Sequence, residues 1–339
     1  MSCECRTIQL GSCRPVACKA VSGGAIVTLV ESWEPTELGV LERAAKVRSF
    51  ALDAAWSEAA VSSHYASSQS LALREGGSLR AVSVGLRRSK AGFSKVVCGT
   101  NGGVGIVADE PHAAEILLRA MWNRWRPSEM EVFGSKIIPA TRLTWAPSFT
   151  IHVDLRGPSE AVAGKFKKQT GYALRKALGN GVKGVIGSKS EIPGALDLIT
   201  MTAVKKHFRL PPRDYLAALH QSFARSGMSQ FILAKQDGRT IAAVHVLGAR
   251  GIASWWKGGA TEEGYSLNAP TVAMATAIQV AAKHGFDTFD MGGTHPTDPK
   301  YRGIHLYKSS FGGRLVETFL GHRSTMIART ARRLTPVNL

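Results

Sequence analysis

Two stretches of the chain concentrate residues that bind anions. Between residues 156 and 183 stand Arg156, Lys165, Lys167, Lys168, Arg175, Lys176 and Lys183, with Glu160 as the opposing acid. From 300 to 333 stand Lys300, Arg302, Lys308, Arg314, Arg323, Arg329, Arg332 and Arg333, opposed by Glu317. On a helix, Lys168, Tyr172 and Arg175 or Lys176 fall on neighbouring turns, so cationic heads and one ring can face a phosphate backbone together. The whole chain repeats the message, because 43 Lys and Arg against 25 Asp and Glu leave a net charge of +18. Charge of this size favours nucleic acid, acidic lipid or phosphorylated partners. A basic but merely solvated surface is the plainer reading of the same residues. The tail 325–334 is basic and partly apolar, which admits an anionic lipid surface, but it lacks a broad aromatic face. Packing back on the N-terminal domain is the simpler expectation for it.

Other chemistries are excluded by search. The sequence has no G-x-S-x-G, H-E-x-x-H, Walker A loop, C-x-x-C or EF-hand loop, which removes most support for hydrolase, zinc protease and NTPase readings. The ten His residues lack paired metal spacing, and His245 inside an apolar strand reads as a core histidine. Cys3, Cys5, Cys13 and Cys18 crowd the N-terminus while Cys98 stands alone. Their spacing is not that of a structural zinc site, and an odd total of 5 fits reduced thiols in a cytoplasm. The glycine-rich run 99–105 has no following Lys-Ser/Thr and reads as a turn. No metal and no cofactor is assigned.

These residues must be positioned by a fold of modest size. At roughly 150 residues per domain, 339 residues predict two domains, with a boundary near residue 150 after the Pro and aromatic cluster at 145–149. Hydrophobic residues at 44% and charged residues at 20% are ordinary for a globular chain with real cores. No apolar run approaches the ~18 residues of a membrane span, and no signal-peptide core is visible. The first domain, 1–150, alternates short strands with helical patterns at 37–60 and 111–126. From 150 the order is a strand at 150–155, helices at 159–178, 192–208 and 212–226, and strands at 230–235, 240–247 and 252–256. A helix at 270–284 follows, then a strand at 286–291, a short helix at 304–310 and a strand at 314–319. Helices, three antiparallel strands, then helix, strand, helix and strand make an α+β arrangement around one mixed sheet, the order of N-acyltransferase domains.

Within that order the residues become specific. The hairpin Phe231-Ile232-Leu233-Ala234 with Asp237-Gly238 and Ile241-Ala242 leads to Trp256 and Gly258-Gly259-Ala260. Pro270 opens a helix that Gly285 ends, and Phe289-Asp290-Met291-Gly292-Gly293, Gly303-Ile304, Tyr307-Lys308 and Phe311-Gly312-Gly313 follow. With Arg175-Lys176-Ala177-Leu178 and Gly181-Val182 upstream, residues 150–320 resemble the FemABX-like aminoacyl-tRNA-dependent peptidyltransferases; over the first domain the resemblance is architectural. It implies two tandem GNAT-like (acyl-CoA N-acyltransferase-like) domains, each a mixed sheet flanked by helices, at 1–150 and 151–319. The tail 320–339 would return to complete the first, and the acceptor would lie in the cleft between them.

The resemblance further implies that an amino acid, with alanine as the candidate, moves from its tRNA ester to the free amine of a small peptide or peptidyl-nucleoside, as in pacidamycin-type antibiotic pathways. Aminoacyl-tRNA would be a co-substrate, and a peptidoglycan cross-bridge is the alternative product. The family's Phe-Lys pair falls on Tyr307 and Lys308, which assigns Lys308 to the reacting carbonyl and keeps an aromatic wall at Tyr307. Trp256, Asp290 and Arg302 are the expected substrate contacts, and Lys168, Arg175, Lys176 and Arg314 the expected tRNA contacts. The chemistry agrees: an aminoacyl ester is already activated, so an amine needs orientation, loss of a proton and a cation for the transient oxyanion. An acyl-CoA enzyme is the rival, but Lys257-Gly258-Gly259-Ala260-Thr261-Glu262-Glu263-Gly264 puts two acids where a pyrophosphate would sit. A noncatalytic RNA-binding protein is the rival from another class.

Overall fold

In the computed structural model, which describes residues 18–22, 25–100, 103–139 and 141–334, Ser148–Glu317 forms one unit and Met1–Pro147 with Thr318–Leu339 another. The N-terminal cysteines Cys3, Cys5 and Cys13 lie outside the described residues.

The first unit opens with β1 (Cys18–Ser22) and β2 (Ala25–Val30), then α1 (Pro35–Ala45) and α2 (Ala54–Ser62). The single helical stretch expected at 37–60 is therefore two helices. Lys46 takes a left-handed conformation that stops α1, and Asp53 starts α2 by accepting a hydrogen bond from Ala55 N at 3.0 Å. An antiparallel meander follows, β3 (Ser67–Glu75), β4 (Ser78–Lys90) and β5 (Phe93–Thr100), with the short β6 (Gly103–Val104) and β7 (Ile106–Ala108) beside it. In α3 (Pro111–Trp125), Ala113, Ala114, Leu117, Leu118, Met121 and Trp125 are buried at helical spacing, so one stripe covers the sheet. β8 (Glu129–Gly134) then pairs in parallel with β5.

β9 (Thr144–Asp154) carries the chain into the second unit. There a 3-10 turn over Ser159–Lys165 precedes α4 (Lys168–Gly179), where one helix was expected over 159–178. β10 (Lys183–Ile186), α5 (Ile192–Lys205) and α6 (Arg213–Ser226) lead to the antiparallel meander β11 (Met228–Gln236), β12 (Arg239–Ala249) and β13 (Ile252–Ala260). A short α7 (Glu262–Ser266), capped by Thr261, was not expected from the sequence. It is followed by the Ala-rich α8 (Ala269–Lys283), which is buried on most sides; a Cβ on Gly184 of β10 would collide with Thr276 of this helix. Along β11 and β12, Phe231, Leu233 and Ala243 pack with α5 residues on one face, while Ile232, Ala234, Val244 and Val246 join the α8 cluster on the other. Both faces are covered, which is why these strands read as unbroken apolar runs. β14 (Thr288–Asp290) pairs in parallel with β13 and antiparallel with His152–Asp154 of β9. α9 (Arg302–Ser309) follows, and β15 (Arg314–Ser324) returns to the first unit, where Phe319–Ser324 pair with β8. α10 (Met326–Leu334) closes the described chain, and Thr325 N donates to Ser128 O at 2.9 Å.

Apart from the extra edge strand β1 in the first unit and α4 and α7 in the second, each unit repeats a strand, two helices, a three-stranded meander, a helix and a parallel strand. An antiparallel strand closes each, β15 in the first and β9, which comes earlier in the chain, in the second. The expected α+β class, a mixed sheet flanked by helices in each of two units, is the one the chain adopts.

Candidate active site

β13 and β14 are paired over Ile252–Ser254 and Thr288–Asp290. Beyond that point β13 continues alongside β12 while the chain after β14 turns away at Met291-Gly292-Gly293. Lys308, the seventh residue of α9, reaches this split. It is 6% exposed, its Nζ donates to Gly293 O at 2.6 Å, and the ammonium lies 4.9 Å from the centroid of the Trp255 ring. An ammonium has three protons to donate, so the bond to Gly293 leaves donors for a substrate. Burial pulls the Lys308 pKa down to about 8, opposed by the Asp290 charge and assisted by Lys257.

The turn that meets Lys308 is held by Asp290, which is fully buried. Its Oδ1 accepts from Gly292 N at 2.7 Å and from Thr150 Oγ1 on β9. Its Oδ2 lacks a hydrogen bond and stands 3.8 Å from His152 Nε2. Gly292 has φ +72°, and a Cβ there would lie 3.3 Å from Trp255 O and 3.6 Å from Lys308 Nζ; both the backbone angle and the space call for glycine. Tyr307 donates from its hydroxyl to Pro270 O at 3.0 Å and meets the Trp255 and Phe311 rings edge-on. Burial pushes its phenol pKa well above the ordinary value, so it stays a neutral wall.

The structure brings Lys308, Tyr307 and Asp290 together and places Trp256, another expected contact, on the α5 side of β13. Trp255, not Trp256, lies under Lys308. A bulge between His245 and Val246 pairs them with Lys257 and Trp255, and the extra residue, Trp256, packs with the α5 cluster and under Lys257. Asp290, sealed from solvent, holds the Gly292 turn instead of meeting a substrate directly. Arg302 opens α9 and is exposed. Lys168, Arg175 and Lys176 are exposed on α4, Tyr172 beside them is 63% exposed, and Arg314 is exposed at the start of β15. The start of α4 is tied to the end of α9: Lys167 N donates to Ser310 O at 2.8 Å, and the Phe166, Phe311 and Tyr307 rings form an edge-on chain.

Sequence reasoning missed Thr150 and His152, and gave Lys257 no role beyond its place in the loop after Trp256. The first two sit on a strand about one domain length away in sequence, so no local signal marks them. Of the other sequence expectations, His245 is buried and stacked on Phe231 at 4.2 Å, with its pKa lowered to about 3 by burial. The Cys98 thiol is buried and pushed up to about 12, so it stays protonated. No helix among the described residues is long and apolar enough to cross a membrane.

The model of the acetyltransferase (GNAT) domain family matches residues 164–309, which contain α4 through α9 and therefore Lys308. No curated protein matches the chain in sequence. Among solved structures, FemX superposes with TM-score 0.69 at 12% identity, over 90% of this chain and 99% of that one. A conserved protein of unknown function from Bacteroides thetaiotaomicron gives 0.55 at 10% identity, over 86% and 97%. The C-terminal domain of a putative lysylphosphatidylglycerol synthetase from Agrobacterium fabrum gives 0.50 at 11% identity, over 75% and 84%. At such identities the likeness is one of fold, and the fold of this chain is GNAT-like, carried by two units.

Proposed function

We propose that the protein is an aminoacyltransferase that moves an amino acid from the 3′ end of a tRNA to the free amine of a small peptide or peptidyl-nucleoside. The observation that carries this reading is the Lys308 ammonium held at the split between β13 and β14 with donors to spare. The amine nitrogen attacks the ester carbonyl, and the negative charge that develops on the carbonyl oxygen is met by Lys308. Collapse forms the amide and breaks the bond to the ribose oxygen, which leaves with the proton given up by the amine. Trp255 and Tyr307 wall the site, and the turn held by Asp290 fixes where Lys308 points. No cofactor beyond the charged tRNA is required, and the cationic face of α4 is a natural contact for its backbone. A cytoplasmic antibiotic pathway is the setting proposed for the acceptor.

The match to the acetyltransferase family favours a second reading, acyl transfer from coenzyme A. Against it, the strand-to-helix turn after β13 presents Glu262 and Glu263, paired with Lys205 and Arg239, and the turn before α3 presents Asp109 and Glu110. Acids matched by their own cations at both helix starts, Asp109 and Glu110 by Arg80, leave no surplus positive charge there for a pyrophosphate. Single-turnover transfer from radiolabelled aminoacyl-tRNA and from acetyl-CoA, each with a mixture of amine acceptors, separates the readings. Label moving only from tRNA supports the proposal; label moving only from acetyl-CoA overturns it, and tRNA binding without transfer leaves a binding protein.

A further inference from the structure

Lys257 is a cation without an anion. It is half-buried on β13, next to Trp256, and among the described residues it makes neither an ion pair nor a hydrogen bond. Its ammonium rests 4.9 Å from the Trp256 ring centroid and 6.0 Å from that of Phe208. Aromatic faces offset only part of the cost of taking a lysine out of water, and burial lowers its pKa. The nearby acids are engaged elsewhere, Glu262 with Lys205 and Glu263 with Arg239. A second pair stands beside the first: Lys206 lies 5.8 Å from the ring centroid of Tyr265. Phe208 is 37% exposed and Tyr265 44% exposed. The pairs come from the end of α5, from α7 and from β13, so the fold assembles them from separate segments. The patch adjoins the proposed reaction centre, since Lys257 stands two residues along β13 from Trp255, the ring under Lys308, and Tyr265 lies in α7 at the turn into α8, whose Pro270 O accepts from Tyr307.

We propose that Lys257 binds a phosphate of a nucleotide-bearing substrate, with Phe208 and Tyr265 as stacking surfaces for its base. Alternating lysines and exposed rings suit a ligand that alternates phosphates and bases; a simple carboxylate would leave the rings unused. The shared chemistry, a nucleotide phosphate, has two sources: the 3′ end of the tRNA or a nucleotide linked to the acceptor. The first source rests on the aminoacyl-tRNA reading, whereas the second does not.

The test measures fluorescence anisotropy of the full chain with two labelled probes, a short RNA ending in CCA and a nucleoside diphosphate, for wild type, Lys257→Gln, Lys257→Arg and Lys257→Met. Loss of one charged contact is expected to weaken binding about tenfold or more in Lys257→Gln and to flatten the salt dependence of RNA binding by about 0.7 in log–log slope. Lys257→Arg should restore binding. Lys257→Met should lose binding while melting no lower than wild type, because it removes an unpaired, half-buried charge. An effect confined to RNA identifies the tRNA end, and one confined to the diphosphate identifies a nucleotide-linked acceptor. Equal affinity of wild type and Lys257→Gln for both probes, or no binding of either probe to wild type at millimolar concentration, overturns the inference. If aminoacyl-tRNA transfer occurs and Lys257 variants bind as wild type, the inference fails and the functional reading stands. If transfer is absent but Lys257→Gln weakens diphosphate binding, the functional reading fails and the inference stands.

Discussion

The two units build the same split between parallel strands and fill it differently. In the first, β5 and β8 are paired through Cys98 and Val132, and the main chain itself then enters the gap. Gly105 N donates to Phe133 O at 2.7 Å, and Ser83 Oγ donates to Gly105 O at 2.6 Å. Gly99 has φ +82°, and a Cβ on Gly105 would collide with the Cys98 carbonyl. In the second unit the same gap receives the end of a lysine side chain from α9. The first unit has no helix at that point: residues 135–139 and 141–143 after β8 form no regular element. One architecture thus gives a gap filled by backbone and a gap occupied by a side-chain ammonium, the group that the proposed function brings to a substrate. Apart from the extra edge strand β1, strand order is common to both units, so the difference between the gaps comes from connecting segments: residues 103–105 after β5 in the first unit and α9 after β14 in the second.

The comparison breaks most decisively at Lys308. Lys308→Ala should lower single-turnover transfer about a hundredfold or more, the usual effect of losing an oxyanion donor, with tRNA retention on a filter unchanged; the same change at Lys136, after β8, should leave both intact. Equal transfer by Lys308→Ala and wild type would remove the distinction between the two gaps.

Glycine substitutions are expected to separate structure from chemistry. Gly105→Ala should cost on the order of 3 kcal/mol in urea unfolding because backbone blocks the new methyl. Gly292→Ala should cost about 1–2 kcal/mol for its positive φ and reduce transfer more than that loss of folded protein explains. A Gly292→Ala enzyme with full activity contradicts the role of this turn in placing Lys308.

The pH dependence should follow Lys308. Transfer that needs its ammonium should fall as pH rises through about 8, and Asp290→Asn should move that alkaline limb to lower pH, because the lost carboxylate had favoured the charged lysine. The sign for stability is opposite. The folded pKa of about 8 lies below the ordinary lysine value of 10.5, so the unfolded chain binds more protons between these values and stability from this group rises with pH across that window. Lys308→Met should flatten this rise, read by urea midpoints at several pH values.

The smallest effect is expected on the surface. Arg175→Glu with Lys176→Glu should weaken tRNA binding several-fold and reduce its salt slope by about 2, with folding stability unchanged within about 0.5 kcal/mol. An unchanged slope places the RNA elsewhere.

Much of this was legible in the chain before folding. Apolar spacing at Leu117 and Met121 located α3, Pro270 and Gly285 bracketed α8, and Asp237-Gly238 marked the β11–β12 hairpin, because helix stripes, first-turn prolines and tight turns are set by neighbours a few residues apart. Lys308 was legible through its resemblance to a family pattern. Which tryptophan it meets was not: one bulged residue in β13 moves Trp255 under the lysine and turns Trp256 to the other face, and a bulge has no dependable local code. Thr150, His152 and Lys257 acquire meaning only when β9, β13, α5 and α7 are assembled. The sequence by itself determined most of the elements, their order in the second unit and the positive charge, which arise from local periodicity and composition. The tertiary structure alone decided which gap is sealed and which holds an ammonium, because burial, hydrogen-bond partners and charge neighbours are set by segments distant along the chain.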